Sequence, residues 1–362
     1  RSSDLQASNA SEDTLTYLPN KKKTENSIEY HDDEEQFDLF SSSSKARKVQ
    51  LDFERLLDCV SNPLRYYYRT ALQVNLYSIE EETPVSEPFS IQGLDAYELK
   101  KSLVQRWFGE QSEGAFSALL SKEWQLAGKL PRAPLDDYYL KNIQASIQPM
   151  YDYVTQNMFS ETQHHEFDFS LDIYQIYGGC VTHGHQLVEL ALSKSLGSSF
   201  FSFWLKHVFW SLYCARCDAE PTKQNVKGSL LIGPEQEIIV PILSSDKAEV
   251  FALECCQFFE LASHEPNTFF PKSSFALLFE SESKAKNAFL GNQNIPGESS
   301  DLYWQRYCAM STENIDLNAL PNFSDSVLYR QVESIKDLIE VRKIQLQNVD
   351  NKQGLSNSEL HL

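Results

Sequence analysis

The hydrophobic pattern becomes regular at Val49, and the first elements that it predicts are helices. The pair Asn62-Pro63 predicts a second helix start, because Asn caps the free N–H groups of a first turn and Pro fits its first position. The apolar residues that give the first helix its spacing are Leu51, Leu56, Leu57 and Val60. Further helices are predicted from Asp95 onward, over 116–127 and over 135–156.

The middle of the chain has the pattern of strands with helices between them. The runs "HHEFDFSLDIYQIY" and "CVTHGHQLVEL" predict strands joined at Gly178-Gly179, and "VKGSLLIGPEQEIIVPIL" predicts a hairpin that turns at Gly233-Pro234. This hairpin is a candidate wedge or contact element. The aromatic run "SSFFSFWLKHVFWSLYCA" and "KAEVFALECCQFFELASHE" predict helices. A short strand is predicted at the start of "TFFPKSSFALLF", with helices over 301–310 and 325–345. Helices followed by strands with interleaved helices predict an α/β or α+β domain.

The two ends of the sequence have no such pattern. Residues 1–46 are rich in Ser, Asn, Asp and Glu, with "KKK", "DDEE" and "SSSS" runs, which predicts a disordered linker. A folded domain is predicted over 47–350 and a frayed tail over 351–362. Because the sequence begins at Arg1, it is interpreted as a piece of a longer polypeptide.

Composition narrows the class of protein. The chain has 362 residues, a net charge of −19 and a pI near 4.9, which argues against a broad electrostatic grip on DNA. No apolar run approaches the roughly 18 residues of a membrane span, and no secretory leader is visible. Seven cysteines at irregular spacing predict free thiols and a cytoplasmic location.

The stretch "SNPLRYYYRTALQVNL" is the candidate nucleic-acid contact. On a helix, one face carries Leu64, Tyr67, Tyr68 and Ala71, and another carries Arg65, Tyr66, Arg69 and Gln73. Arg suits phosphates and Tyr suits bases, so Arg65, Tyr66 and Arg69 are the candidate DNA contacts. The alternative is a core helix whose arginine face is solvated. A structural helix whose two arginines line a DNA path satisfies both interpretations.

No metal or cofactor site is predicted. Cys214 and Cys217 form a C-x-x-C pair, but the nearest further cysteines, Cys255 and Cys256, are adjacent to each other, and adjacent cysteines rarely ligate one metal. A divalent ion could otherwise be held by the His164-His165 and His183-Gly184-His185 pairs together with Asp168 or Asp172. No further ligand is fixed by their spacing.

The run from Phe167 to Cys214 has the strand, hairpin, strand and helix layout of metal-dependent nucleases. These enzymes need an Asp on one strand and Asp/Glu-x-Lys on the next, where carboxylates hold Mg²⁺ and the lysine orients water. The second strand, "CVTHGHQLVEL", contains no such triplet. Glu98-Leu99-Lys100 and Glu282-Ser283-Lys284 match only in predicted helix or loop. No phosphate loop ending in Lys-Ser/Thr is present, so neither catalytic residues nor ATP hydrolysis are predicted.

Five stretches together resemble one known family. They are "NPLRYYYRTALQVNL", "EPFSIQGLDAYELKKSLV", "FWLKHVFW", "LECCQFF" and "SSDLYWQRY", and they extend over roughly 49–310. In this order they resemble the C-terminal region of the RecC family, the gamma subunits of exodeoxyribonuclease V. A RecB-type or AddB-type relative with an iron–sulfur cluster would need four well-spaced cysteines, which this chain does not supply.

The resemblance implies a restriction-endonuclease-like, PD-(D/E)XK-type core with added helices and a lost catalytic site. It implies a non-catalytic scaffold in the RecBCD helicase–nuclease, which processes double-strand DNA ends for recombinational repair. RecD and RecB are then the partners, DNA is guided or split at the fork, no cofactor is needed and no membrane is involved. The alternative is an active Mg²⁺-dependent nuclease with a rearranged site built from Asp168, Asp172 and His185.

Overall fold

The computed structural model describes a mixed sheet with helices packed against it. All described residues belong to one compact unit, Ala46–Leu362. The predicted linker over 1–46 and the predicted tail over 351–362 lie outside the described residues. The described residues are 48–77, 91, 93–110, 122–157, 162–217, 228–292, 295–311 and 320–344.

Among the described residues, the sheet contains seven strands. They are β1 (Val49–Asp52), β2 (Thr162–Leu171), β3 (Tyr174–His183), β4 (Gln186–Leu190), β5 (Ser229–Ile232), β6 (Gln236–Val240) and β7 (Glu340–Lys343). The helices are α1 (Phe53–Ser61), α2 (Pro63–Thr70), α3 (Gly93–Glu110), α4 (Leu135–Asn157), α5 (Gly197–Arg216), α6 (Ser245–His264), α7 (Pro271–Phe279), α8 (Glu282–Leu290), α9 (Leu302–Met310) and α10 (Val327–Glu333). Short 3₁₀ turns cover Glu298–Ser300 and Lys336–Leu338.

The strand order is β1-β3-β4-β5-β6-β7, with β2 paired along the whole length of β3. Strands β2, β3 and β4 form an antiparallel meander. Helix α5 then crosses over to β5, which is parallel to β4. Strands β6 and β7 continue antiparallel, and β1 is parallel to β3. A sheet of mixed direction with crossover helices confirms the predicted α/β class.

Helix α5 forms the centre of the core. Apart from a stripe at Ser198, Ser202 and Lys206, its sequence is largely apolar, which is typical of a helix mostly enclosed by other elements. The side chain of Phe209 lies 5.0 Å from the Phe53 ring on α1 and 5.8 Å from the Phe167 ring on β2, between ring centroids. Trp204 and Trp210 are fully buried. This helix therefore fixes the positions of α1 and the β2–β3 hairpin.

The predicted turn at Gly178-Gly179 is wrong, because both glycines lie inside β3. The chain turns instead at Asp172, which has a φ of 48°, and at Gly184, which has a φ of 60°. A Cβ on Gly178 would lie 2.4 Å from the Cβ of Phe53. Glycine is needed here so that α1 can approach the strand closely, not so that the chain can reverse.

Other boundaries differ from the predicted ones in places where tertiary pairing overrides local pattern. Residues 49–52 pair with β3 as a strand instead of starting the first helix. Residues 268–270 are irregular and lead into α7, so the predicted short strand is wrong. The predicted helix over 325–345 ends at Glu333, and its last part is β7. Helix α8 was not predicted. The hairpin turn at Gly233-Pro234 is confirmed, and it packs on Leu196.

Helices α3 and α4 form an insertion between α2 and β2. They enclose a small apolar core of their own, made of Ile91, Leu99, Leu103, Trp124, Leu130, Leu140, Ile143 and Ile147. The second half of α4 packs on the sheet instead, through Met150 and Val154 against Val188 and Leu230. Pro149 lies inside α4 at the boundary between these two cores. No helix among the described residues is long and apolar enough to cross a membrane.

Candidate nucleic-acid interface

Helix α2 presents the two predicted arginines to solvent. The Oδ1 atom of Asn62 accepts the backbone N–H of Arg65 at 2.9 Å, which confirms the predicted cap. The Arg65 guanidinium lies 3.2 Å from the Asp58 carboxylate and 3.1 Å from the Ser61 hydroxyl. Arg69 is exposed and donates from Nε to Asn75 at 2.9 Å. Both guanidinium groups make solvent-exposed polar contacts that leave them accessible.

Tyr66 does not share that surface. Its side chain is 3% exposed, and its ring centroid lies 5.4 Å from that of Phe259 on α6. Burial raises the pKa of Tyr66, while the nearby Arg55 opposes the shift. Helix α2 is packed on both flanks, since Tyr68 also lies 5.6 Å from Tyr303 on α9. The Tyr66 ring is therefore not available to stack on a base at the surface.

A cleft of about 390 Å³ opens beside Arg65, between α2 and the starts of α7 and α9. Lys272 supplies a second cation to its lining. The two carboxylates in the lining serve as helix caps. Glu298 accepts the N–H groups of Lys272 and Ser273, each at 2.9 Å, and Asp301 accepts that of Tyr303 at 2.9 Å. Burial raises the pKa of Glu298 and these hydrogen bonds oppose the shift.

The residues of the alternative nuclease site are not brought together. Asp168 is exposed in the middle of β2 and accepts a hydrogen bond from Gln175. Asp172 lies in the turn before β3, and His185 lies in the turn after it. The ten residues of β3 separate these two turns by roughly 33 Å. A metal ion cannot contact both ends of this strand.

The histidine pairs form part of the β2–β3 packing. His165 Nε2 and the Thr182 hydroxyl are 2.8 Å apart, and the imidazole lies 4.9 Å from the Trp210 ring. Burial lowers the pKa of His165 and of His183, so both favour the neutral form. Across the described ranges, no group of three His, Cys, Asp or Glu side chains is arranged to hold a metal ion.

A carboxylate–lysine pair that the sequence analysis did not identify lies on the other side of β3. Glu189 on β4 accepts from the ammonium of Lys206 on α5 at 2.6 Å. The pair lines a cavity of about 690 Å³, which Glu54 and His183 also line. No local motif joins these residues, because they come from α1, β3, β4 and α5. The one local trace of the pair is the glutamate in "QLVEL", which no lysine follows within this strand.

All seven cysteines are free thiols, as predicted. Cys214 ends α5 in the core, and burial raises its pKa to about 12, as it does for Cys180 and Cys256. Cys217 is half-buried at the helix end, where a side-chain hydrogen bond to it raises the pKa of Tyr213 to about 12. Protonated, enclosed thiols are poor metal ligands and poor nucleophiles.

Comparison with known proteins identifies the family. A model of the RecC C-terminal domain matches residues 48–282, which is more than half of the chain. The chain belongs to the RecC C-terminal domain family. Two relatives are each named RecBCD enzyme subunit RecC. The one from Escherichia coli (strain K12) is 23% identical over 272 residues, and the one from Haemophilus influenzae is 27% identical over 149 residues.

The matched RecC sequences are much longer than this chain. The alignment with the Escherichia coli protein covers 68% of this chain and 22% of that protein. The alignment with the Haemophilus influenzae protein covers 38% of this chain and 12% of that protein. This chain therefore spans less than a quarter of the relatives that it matches. The RecC C-terminal domain match contains α2 with both arginines and every residue that lines the larger cavity, whereas α9 and β7 lie beyond it.

Proposed function

We propose that this chain is a non-catalytic interaction domain of a RecC-type subunit, which binds RecD and RecB in a helicase–nuclease that repairs double-strand breaks. The RecC C-terminal domain match over residues 48–282 carries the RecC part of the proposal. The observation that carries its non-catalytic part is the separation of Asp172 from His185 by the ten residues of β3, roughly 33 Å. A nuclease of this layout needs clustered carboxylates to bind Mg²⁺, and Glu189 on β4 contacts Lys206 at 2.6 Å instead of a second carboxylate.

The topology supports a restriction-endonuclease-like core for this domain. An antiparallel three-strand meander, one crossover helix and a parallel strand follow one another as β2-β3-β4, α5 and β5. Strand β4 is then the one that would carry Asp/Glu-x-Lys. It contains Glu189, but Leu190 and Ala191 follow in place of x-Lys. The α3–α4 insertion and helices α6 to α10 are the added helices of the proposed architecture.

Charge supports a role in binding proteins rather than in wrapping DNA. A net charge of −19 repels the phosphate backbone over most of the surface. Arg65 and Lys272 line one cleft and Arg69 lies one turn further along α2, which suits a few phosphate contacts made when partner subunits bring DNA to this domain. In this proposal the arginines line part of the DNA path at the fork, and the partners supply most of the affinity.

Two measurements on the purified chain test this function. The first is size-exclusion chromatography with RecD and RecB of the same organism, where co-elution is expected. The second is incubation of the chain with double-stranded and single-stranded DNA and Mg²⁺, where no cleavage is expected. Cleavage that disappears in Glu189→Gln and persists in Glu166→Gln would replace the scaffold by an active nuclease. Failure to co-elute with either subunit would remove the partner-binding role.

A further inference from the structure

The larger cavity has three walls of different chemistry. Its volume of about 690 Å³ lies within the range of small-molecule sites. One wall is a polar stripe along α5, formed by side chains four residues apart at Ser198, Ser202 and Lys206, with Ser199 beside it. A second wall comes from one face of α3. The third is an apolar floor from the sheet, in which Val181, Leu190 and Leu192 are exposed or partly exposed, whereas Val188 and Leu231 are buried.

The wall from α3 adds an aromatic ring and a cation. Tyr97 and Lys101 are four residues apart on α3, and Val104 follows on the same face. Tyr97 is 41% exposed, so its ring is accessible from solvent. Phe203 of α5 also lines the cavity but is only 1% exposed, so Tyr97 is the aromatic ring of the lining that is available for stacking. Aromatic and aliphatic surface suits a nucleobase, because every base presents an apolar face for stacking.

The charges in the cavity favour one phosphate and oppose a long polyanion. Lys206 is held by Glu189, so Lys101 is the lysine of the lining that is not paired with a carboxylate among the described residues. Its ammonium and the serine hydroxyls are donors of the kind that bind phosphate oxygens. Glu54 brings a carboxylate to the same lining and weakens the binding of an anion. The balance suits a single phosphate with weak affinity.

We propose that this cavity binds one nucleotide of single-stranded DNA, with the phosphate at Lys101 and the serine stripe and the base against the apolar floor. This proposal rests on the proposed function, which brings separated strands to the domain, and it adds a site distinct from Arg65 and Arg69. The cavity contains the position where a nuclease-like core would cleave. The carboxylates of the lining are Glu54 and Glu189, and Glu189 contacts Lys206, so we propose nucleotide binding there without metal-dependent cleavage.

Isothermal titration of the full 362-residue chain with 5′-phosphorylated thymidine dinucleotide tests the site. Lys101→Glu reverses the free charge in the cavity and is expected to weaken binding by about tenfold, the scale of one charge-assisted contact. Lys100→Glu makes the same change in net charge at a neighbouring residue outside the lining, and it is expected to bind like the unaltered chain. Glu54→Gln is expected to bind about threefold more tightly, because it removes the repelling carboxylate.

Each other outcome overturns the proposal. Equal losses in Lys100→Glu and Lys101→Glu would indicate general electrostatics and no site in the cavity. Inorganic phosphate that competes as well as the dinucleotide would indicate an anion site without base recognition, and thymidine that competes as well would remove the role of the phosphate. No binding of the dinucleotide at millimolar concentration would remove the site altogether. Because no partner subunit is present, these failures are distinct from a failure to co-elute with RecD or RecB.

Discussion

Replacing Arg65 and Arg69 together by alanine separates DNA contact from folding. Each arginine that contacts a phosphate contributes about 0.9 to the slope of log affinity against log salt on duplex DNA. The double variant is therefore expected to lower that slope by about 1.8 for fork DNA bound by the assembled complex. The assay is fluorescence anisotropy of a labelled fork over a series of salt concentrations.

The stability of the double variant is expected to change little. The Arg65–Asp58 pair is 3.2 Å long with side-chain exposures of 36% and 52%, and such surface pairs contribute about 0–1 kcal/mol. The charge-matched control is Arg330→Ala with Arg342→Ala, which changes exposed arginines on α10 and β7. An unchanged salt slope in the Arg65 and Arg69 variant, or an equal decrease in the control, would refute the proposed DNA path.

Three further predictions concern the core. Gly178→Ala places a Cβ 2.4 Å from that of Phe53, so the free energy of unfolding in urea should fall by about 1–3 kcal/mol; an unchanged midpoint would contradict the close approach. The Trp204 indole N–H donates to the Gln331 amide oxygen at 2.9 Å, and Gln331→Leu removes this acceptor. The free energy of unfolding in urea should then fall by about 1–3 kcal/mol, and a stabilised variant would refute this role. Burial lowers the pKa of His207 to about 3, against 6.5 in the unfolded chain. Below pH 6.5 the unfolded state therefore binds one proton more than the folded state, and the free energy of unfolding falls by about 1.4 kcal/mol per pH unit. Urea titrations from pH 7 to 4 should therefore show a shallower loss in His207→Asn, and equal slopes would exclude His207 as a cause.

The elements that were predicted correctly are the ones whose signals are local. The helix start at Asn62-Pro63 follows from two adjacent residues, and the hairpin at Gly233-Pro234 follows from a turn between two apolar runs. The turn at Gly178 was predicted wrongly, because glycine occurs both where a chain reverses and where two elements approach closely. Only the position of Phe53 in the fold distinguishes these two roles.

The candidate site shows the same limit. Arg65 and Arg69 could be placed on one exposed side of a helix from their spacing alone. Tyr66 could not be assigned to the core, because its burial depends on Phe259, which is distant in sequence. The Glu189–Lys206 pair and the cavity around it were not visible either, since four separate elements supply their residues. Pairing between distant segments is set by the whole fold and leaves no periodic trace in the sequence.

Pro149 is the position in α4 that can act as a hinge. A proline inside a helix removes one backbone hydrogen bond and crowds the preceding turn, so bending is easiest there. On one side of it α4 belongs to the core of the insertion, and on the other side it is fixed to the sheet. Helix α3, which carries Tyr97 and Lys101, packs in the same core as the first part of α4. A small tilt at Pro149 would therefore change the width of the cavity mouth.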